Sequence, residues 1–351
     1  SGVVPQITAV FGNCGGGMAV ASAMSDFTFM ESKKGKLFVN SPNALAGNDA
    51  SKCDTSAAKF QSEEVGIVDV VAEEAELIAQ IRELVAMLPA NNEDDLSYAD
   101  CEDDLNRVCA DLEASAADPA IALPMISDDG VFFETKAEYG KDMVTGFIKL
   151  NGTTVGAVAN RSTLYDEEGN AVEQFNAEIS ARGCEKAASF VKFCDAFNIP
   201  VLTLTNAAGF KATKCTEKKI AKAAAALTAA FAEADVPKVN VITGKAFGSA
   251  YVTMNSKGLG ADMVYAWPNA QIGMMDAKLA VKVMYPEADA KELREKAAAY
   301  AELQNSVASA AKRGYVDTVI DAQDTRKYVI GAFEMLFTKR EDRPGKKHGT
   351  V

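Results

Sequence analysis

Short apolar runs that stop at glycine alternate along this chain with longer stretches whose apolar residues recur every three to four positions. Residues 4–11 are β-branched and apolar and end at Gly12, and residues 18–24 behind them are small and apolar. The pattern predicts a strand, a tight turn and a buried helix. Residues 27–30 and 36–39 predict two further strands, and the apolar run 65–71 another. Residues 73–88 place Leu77, Ile78, Ile81, Leu84, Val85 and Leu88 on one helical stripe, with acidic residues in the first turn where the helix dipole favours them. After a polar, acidic stretch, residues 143–150 and 155–160 flank Asn151-Gly152, a two-residue hairpin turn whose central positions both want positive φ. Residues 179–197 predict a helix, 201–205 a buried strand, and 218–234 an alanine-rich helix that ends before Pro237.

The strand-glycine-helix unit occurs twice. Pro5, Gly12 and Gly16 meet Pro237, Gly244 and Gly248 at one constant offset of 232. The order persists: Pro42-Asn43-Ala44 returns as Pro268-Asn269-Ala270, and Gly66-Ile67-Val68-Asp69 returns as Gly314-Tyr315-Val316-Asp317. A repeat this long means two related domains rather than a solenoid of short units. Residues 1–90 form the first domain, 91–127 an acidic connection and 128–351 the second. More than 100 residues of hairpin, helix and strand precede Pro237 in its own half, whereas four residues precede Pro5, so the first domain is expected to be incomplete at its front.

With 351 residues and 48% hydrophobic composition, the chain is long enough to bury two cores. A net charge of −13 argues against nucleic acid or an anionic membrane as a general partner, since either needs a basic face. Seven cysteines without a C-x-x-C pair suit reduced thiols and a cytoplasmic location. The single histidine, His348, rules out a His-rich metal site and disfavours a Ser-His-Asp triad, so no metal is expected.

Chemistry should then rest on backbone donors. A strand running into a glycine turn and a helix exposes successive N–H groups to an oxyanion; the competing reading is that the glycines only allow close packing. Gly15-Gly16-Gly17 lacks the final glycine of a dinucleotide fingerprint, neither turn is followed by Gly-Lys-Ser/Thr, and Phe247 stands where a nucleophile elbow at Ser249 needs glycine. Lys33, Lys34 and Lys36 form one basic cluster near the first turn, either a phosphate contact or a solvated loop.

At Ser1-Gly-Val-Val-Pro-Gln-Ile7, Gly12-Asn-Cys-Gly-Gly-Gly17, Phe193-Cys-Asp-Ala-Phe-Asn-Ile-Pro200, Ala232-Glu-Ala-Asp-Val-Pro-Lys-Val-Asn-Val-Ile-Thr243, Tyr265-Ala-Trp-Pro268 and Lys339-Arg-Glu-Asp-Arg-Pro-Gly-Lys-Lys-His-Gly349, the chain resembles the biotin-dependent acyl-CoA carboxyltransferases. That family includes the β subunits of acyl-CoA carboxylases and the related decarboxylase subunits. The resemblance implies an α/β fold of two crotonase-like domains, each a spiral of ββα units. It implies an active site where one subunit's first domain faces another's second, in dimers up to hexamers. It also implies coenzyme A thioester as substrate, biotin on a biotin carboxyl carrier protein, and either a biotin carboxylase or membrane decarboxylase subunits as partners.

By position, the N–H groups of Gly16 and Gly17 are expected to hold the thioester oxygen, and those of Ser249 and Ala250 the ureido oxygen of biotin. Gly15, Gly209, Phe210, Gly248, Tyr251 and Val252 are expected to line the substrates, with Lys33, Lys34 and Lys36 near the phosphates. The sequence departs from the family at Asn206-Ala-Ala-Gly209-Phe210, where Asp-x-Pro-Gly-Phe is frequent, and at Val252, where Asp follows the tyrosine. Two rivals stand beside this reading: a crotonase-type enoyl-CoA hydratase or isomerase, and a non-catalytic assembly subunit or inactive fragment.

Overall fold

The structure, a computed structural model, describes residues 2–94 and 100–341. The first part of the chain supplies β1 (Ile7–Val10), β2 (Asn13–Gly15), β3 (Phe27–Glu31), β4 (Lys36–Phe38) and β5 (Val70–Ala72). Strands β1, β3 and β5 make a parallel sheet in that order, and β2 and β4 form a parallel pair. The helix Glu74–Met87 comes next; of the predicted stripe it buries Leu77 and Leu84, with Leu88 buried just beyond it, whereas Ile78 and Val85 are exposed and Met87, outside the stripe, is buried.

The remainder supplies β6 (Phe132–Thr135), β7 (Met143–Leu150), β8 (Thr153–Asn160), β9 (Thr163–Tyr165), β10 (Ala171–Gln174), β11 (Glu178–Ile179), β12 (Val201–Ala207), β13 (Gly209–Phe210), β14 (Lys238–Phe247), β15 (Met263–Ala266), β16 (Gln271–Gly273) and β17 (Thr318–Val319). Its main sheet runs β17-β15-β14-β12-β8-β7-β6, with β16 paired to the far end of β14. The hairpin β7–β8 closes on Asn151 (φ 50°) and Gly152 (φ 74°), the doubly positive turn expected of Asn-Gly.

Both faces of this sheet are covered, which is why β7 is apolar at nearly every position rather than alternating. On one face Met143 and Phe147 meet the helices Ala181–Ala196 and Ile220–Glu233; on the other Val144 and Ile148 meet the helices Leu112–Ser115, Pro119–Ile126 and Thr325–Leu336. Thus part of the acidic stretch 91–127 is helical, with Leu112, Leu123 and Ile126 buried. Aromatic contacts tie the first sheet to the second: Phe27 of β3 stands edge-on to Phe193 at 4.8 Å between ring centroids and to Phe147 at 6.0 Å.

The sequence repeat is also a repeat of hydrogen bonds. The Gln6 N–H donates to Asp26 Oδ2 (2.7 Å) and the Gln6 carbonyl accepts the Asp26 N–H in return (2.9 Å); Lys238 and Asp262 do the same at 2.8 and 2.9 Å. Thr28 and Asp69 exchange bonds of 2.8 and 2.7 Å, as do Val264 and Asp317 at 2.8 Å each. Each carboxylate takes a main-chain amide at the start of a parallel strand, a charge-assisted bond that sets the strand's entry. This clamp explains one difference from the expected elements. The run 65–71 is no continuous strand: Gly66 turns left-handed (φ 73°), Asp69 is committed to β3, and only Val70–Ala72 pairs.

A cavity of about 280 Å³ lies between the two parts, lined among others by Asp69, Thr135, Lys136, Lys186 and Phe193. The buried Lys186 ammonium donates to Lys136 O (2.7 Å) and Met143 O (2.8 Å), and burial pushes its pKa down to about 8 against the pull of Glu134. Between about pH 8 and 10.5 the unfolded chain therefore binds a proton that the folded chain lacks, so this residue's contribution to stability rises with pH across that window. Urea titrations of wild type and Lys186→Met are expected to diverge in favour of wild type by up to about 1.4 kcal/mol per pH unit. A difference that stays flat between pH 7.5 and 10 contradicts the assignment. Among the described residues no helix is long and apolar enough to cross a membrane.

Candidate functional site

The two glycine turns have one backbone design. In the first, β2 ends at Gly15, Gly16 adopts φ 60°, and the helix Gly17–Ser22 begins. In the second, β14 ends at Phe247, Gly248 adopts φ 58°, and it opens the helix Gly248–Thr253. A left-handed φ at this point lets the chain leave a strand and start a helix within one residue, which a side chain would strain. At Gly248 a Cβ would also sit 3.0 Å from Met274 O, and at Gly15 it would sit 2.9 Å from the Phe38 ring.

The structure changes which amides are available. The Gly16 N–H donates to Phe38 O at 2.9 Å, continuing the β2–β4 ladder, so Gly16 cannot also offer that proton to a ligand. Of the expected Gly16–Gly17 pair, then, the Gly16 amide has an acceptor within the chain. At the helix start the amides of Gly17 and Met18 have no acceptor among the described residues, as the first amides of any helix lack one. By the offset of 232, Gly17 and Met18 are the counterparts of Ser249 and Ala250.

Around the second turn the expected residues converge. Strand β13, with Gly209 and Phe210, packs against the helix Gly248–Thr253, and Phe210 joins the core cluster that holds Ala250. Tyr251 is buried; its hydroxyl has no hydrogen-bond partner among the described residues, and burial raises its pKa to about 12, so it stays neutral. Val252 is exposed, as are Met274, Met275 and Leu279 further along the chain. Behind the first turn the helix expected to be buried is not: Gly17–Ser22 buries only Ala19 and Ser22, and Met18, Val20 and Met24 are exposed apolar residues.

The basic cluster is largely neutralised. Lys33 Nζ meets Glu73 Oε1 at 2.5 Å and Lys36 Nζ meets Asp54 Oδ2 at 2.6 Å, while the Lys34 side chain has no such pair among the described residues. The two turns belong to different sheets, and no hydrogen bond links them among the described residues. Sequence reasoning passed over Met18, because the donor is an amide and the residue type carries no signal. It also passed over Asn160, which the hairpin strand β8 presents to Asn206: Asn160 Oδ1 accepts the Asn206 N–H at 2.7 Å.

These amides set the chemistry open to the site: it can hold negative charge on two separate oxygens without titrating any side chain. A carboxyl transferase domain model matches residues 1–351. The chain is 34% identical over 363 residues to the methylmalonyl-CoA decarboxylase subunit alpha of Veillonella parvula, covering 100% of this chain and 69% of that protein. It is 36% identical over 372 residues to the propionyl-CoA carboxylase carboxyltransferase subunit of Haloferax mediterranei, covering 100% and 70%. The fold superposes on transcarboxylase 12S, a hexamer with hydrolysed methylmalonyl-coenzyme A bound, at a TM-score of 0.92, 34% identity and coverage of 99% and 68%. The α/β, crotonase-like architecture expected from sequence is thus the one observed. With its full length matched in sequence and its strands matched in space, this chain belongs to the carboxyl transferase domain family.

Proposed function

We propose that the chain moves a carboxyl group between N1 of biotin, carried on a biotin carboxyl carrier protein, and the α-carbon of a short acyl-CoA. Propionyl/methylmalonyl-CoA is the pair favoured by the names of its relatives, with acetyl/malonyl-CoA as the alternative. The observation that carries this reading is the duplicated turn with its free helix-start amides. Removal of an α-proton, or loss of carboxylate from the α-carbon, leaves an enolate whose charge sits on the thioester oxygen. In this reading the amides of Gly17 and Met18, which have no acceptor among the described residues, donate to it.

Bound biotin supplies a ureido nitrogen that carries the carboxyl group and a ureido oxygen that gains charge when the group leaves. The amides of Ser249 and Ala250 suit that second oxygen, since Ser249 is exposed and can be reached by a ligand borne on another protein. Phe210, on the strand packed against the helix that carries Val252, would meet the acyl chain, and Lys34 is the cation left for a coenzyme A phosphate. The exposed apolar rims of the two turns support a site shared between copies, in dimers or higher assemblies up to hexamers. A biotin carboxylase partner would drive carboxylation, and a membrane decarboxylase partner the reverse.

The test is release of CO2 from methylmalonyl-CoA and from malonyl-CoA, with and without free biotin, by the purified chain. Biotin-dependent release is expected, faster with methylmalonyl-CoA. Hydration of an enoyl-CoA without biotin would instead identify a hydratase, and a folded chain inert in both assays would identify an assembly subunit.

A further inference from the structure

Strand β14 changes neighbour three residues before the second glycine turn. Its pairing with β12 runs in step from Val201↔Lys238 to Thr205↔Ile242 and resumes at Ala207↔Ala246. Thr243, Gly244 and Lys245 therefore stand opposite Asn206 alone. At the same place β14 makes its last pair with β15, Ile242↔Ala266, and its first with β16, Lys245↔Gln271. A bulge of this kind bends a strand and re-aims the residues beyond it, here Gly248 and the amides of Ser249 and Ala250.

One side chain holds the bend. Asn206 Oδ1 accepts the Lys245 N–H at 2.9 Å, and a Cβ on Gly244 would lie 2.6 Å from that same oxygen. Asn206 is itself gripped at both main-chain atoms by Asn160, whose Oδ1 accepts its N–H at 2.7 Å and whose Nδ2 donates to its C=O. Asn160 is 2% exposed and lies at the end of β8, the strand next to β12. The bulge is thus referenced to the rigid centre of the sheet.

We propose that Asn206, held by Asn160, is a positioning residue for carboxyl transfer: it fixes the exit path of β14 and so the aim of the Ser249 and Ala250 amides. This rests on the reading of the second turn as an oxyanion cradle. Because Asn206 acts through the backbone of β14, its effect should fall on turnover rather than on binding, since donors misplaced by a fraction of an ångström lose transition-state contacts first.

In the biotin-dependent decarboxylation assay, Asn206→Ala is expected to lower kcat about tenfold with KM for the acyl-CoA changed less than about twofold. Asn206→Asp, which keeps an acceptor for the Lys245 N–H, should recover most of that loss. Gly244→Ala, which pushes on the Asn206 oxygen, should cost a similar factor in the wild-type background and little more in the Asn206→Ala background, so it reports even if one variant is poorly folded. Ser249→Pro, run in parallel, separates the failures. If it leaves turnover intact, the cradle reading falls and this proposal with it. If it abolishes turnover while Asn206→Ala matches wild type, or Asn206→Asp is no better than Asn206→Ala, only the positioning role is overturned.

Discussion

Ser249→Pro is expected to lower biotin-dependent decarboxylation by a factor on the order of 10² to 10³ while leaving the chain folded. Proline removes one proton and adds no charge. Ser249 is the second residue of the helix Gly248–Thr253, where the amide has no intrahelical acceptor, so the ladder loses nothing. Proline is tolerated in a first helical turn for the same reason. Ser249 is exposed, so loss of its side chain leaves no buried gap. Gly17→Pro is the equivalent probe of the first turn and should cost a similar factor. Gly16→Pro is a poor probe, since Gly16 needs φ 60° and its amide is spent on Phe38 O; that variant would disrupt the turn itself. Steady-state rates with circular dichroism on both clean variants decide the matter. Wild-type turnover in a folded Ser249→Pro protein sinks the proposed donors.

The difference between Gly16 and Gly17 shows what was legible in the sequence and what was not. Glycine spacing located both turns, and the two positive φ values at Gly16 and Gly248 are what glycine there is for. Which amide is free depends on a partner strand, β4, whose register is a tertiary fact: Gly15 pairs with Phe38, so the next N–H falls on Phe38 O. The hairpin at Asn151-Gly152 was legible because its turn chemistry is local. The Asp26, Asp69, Asp262 and Asp317 clamps were visible only as aspartates beside matching strands, and a comparison of the two halves for polar rather than glycine positions could have found them. The lysine cluster shows the same dependence on tertiary partners. Its composition left a phosphate contact and a solvated loop both open, and Glu73 and Asp54, 40 and 18 residues away in sequence, pair with Lys33 and Lys36 in space.

Arg326→Met is expected to cost about 3 to 5 kcal/mol of folding stability, among the largest effects of any single change outside the glycine turns. The Arg326 guanidinium is fully buried and ties the carboxy-terminal helix to the acidic connection: it donates to Ile126 O (2.7 Å) and Asp104 O (3.2 Å) and pairs with Asp128 Oδ1 (2.7 Å) and Asp103 Oδ2 (3.3 Å). Methionine fills part of the volume but leaves Asp128, itself buried, as a carboxylate without its cation, and strands a buried carbonyl. Arg107 cannot take over, because its own guanidinium already serves Met125 O, Ser127 O and Asp103. Removing both charges, as Arg326→Met with Asp128→Leu, should recover part of the loss, since the cost lies in the uncompensated charge rather than in the absence of a pair. The helix Thr325–Leu336 covers the face of the sheet opposite the glycine turn's helix, so the single variant should unfold at lower urea while its remaining folded fraction keeps a near-normal KM. A single variant with an unchanged urea midpoint would show that this buried arginine is not what fastens the acidic connection to the sheet.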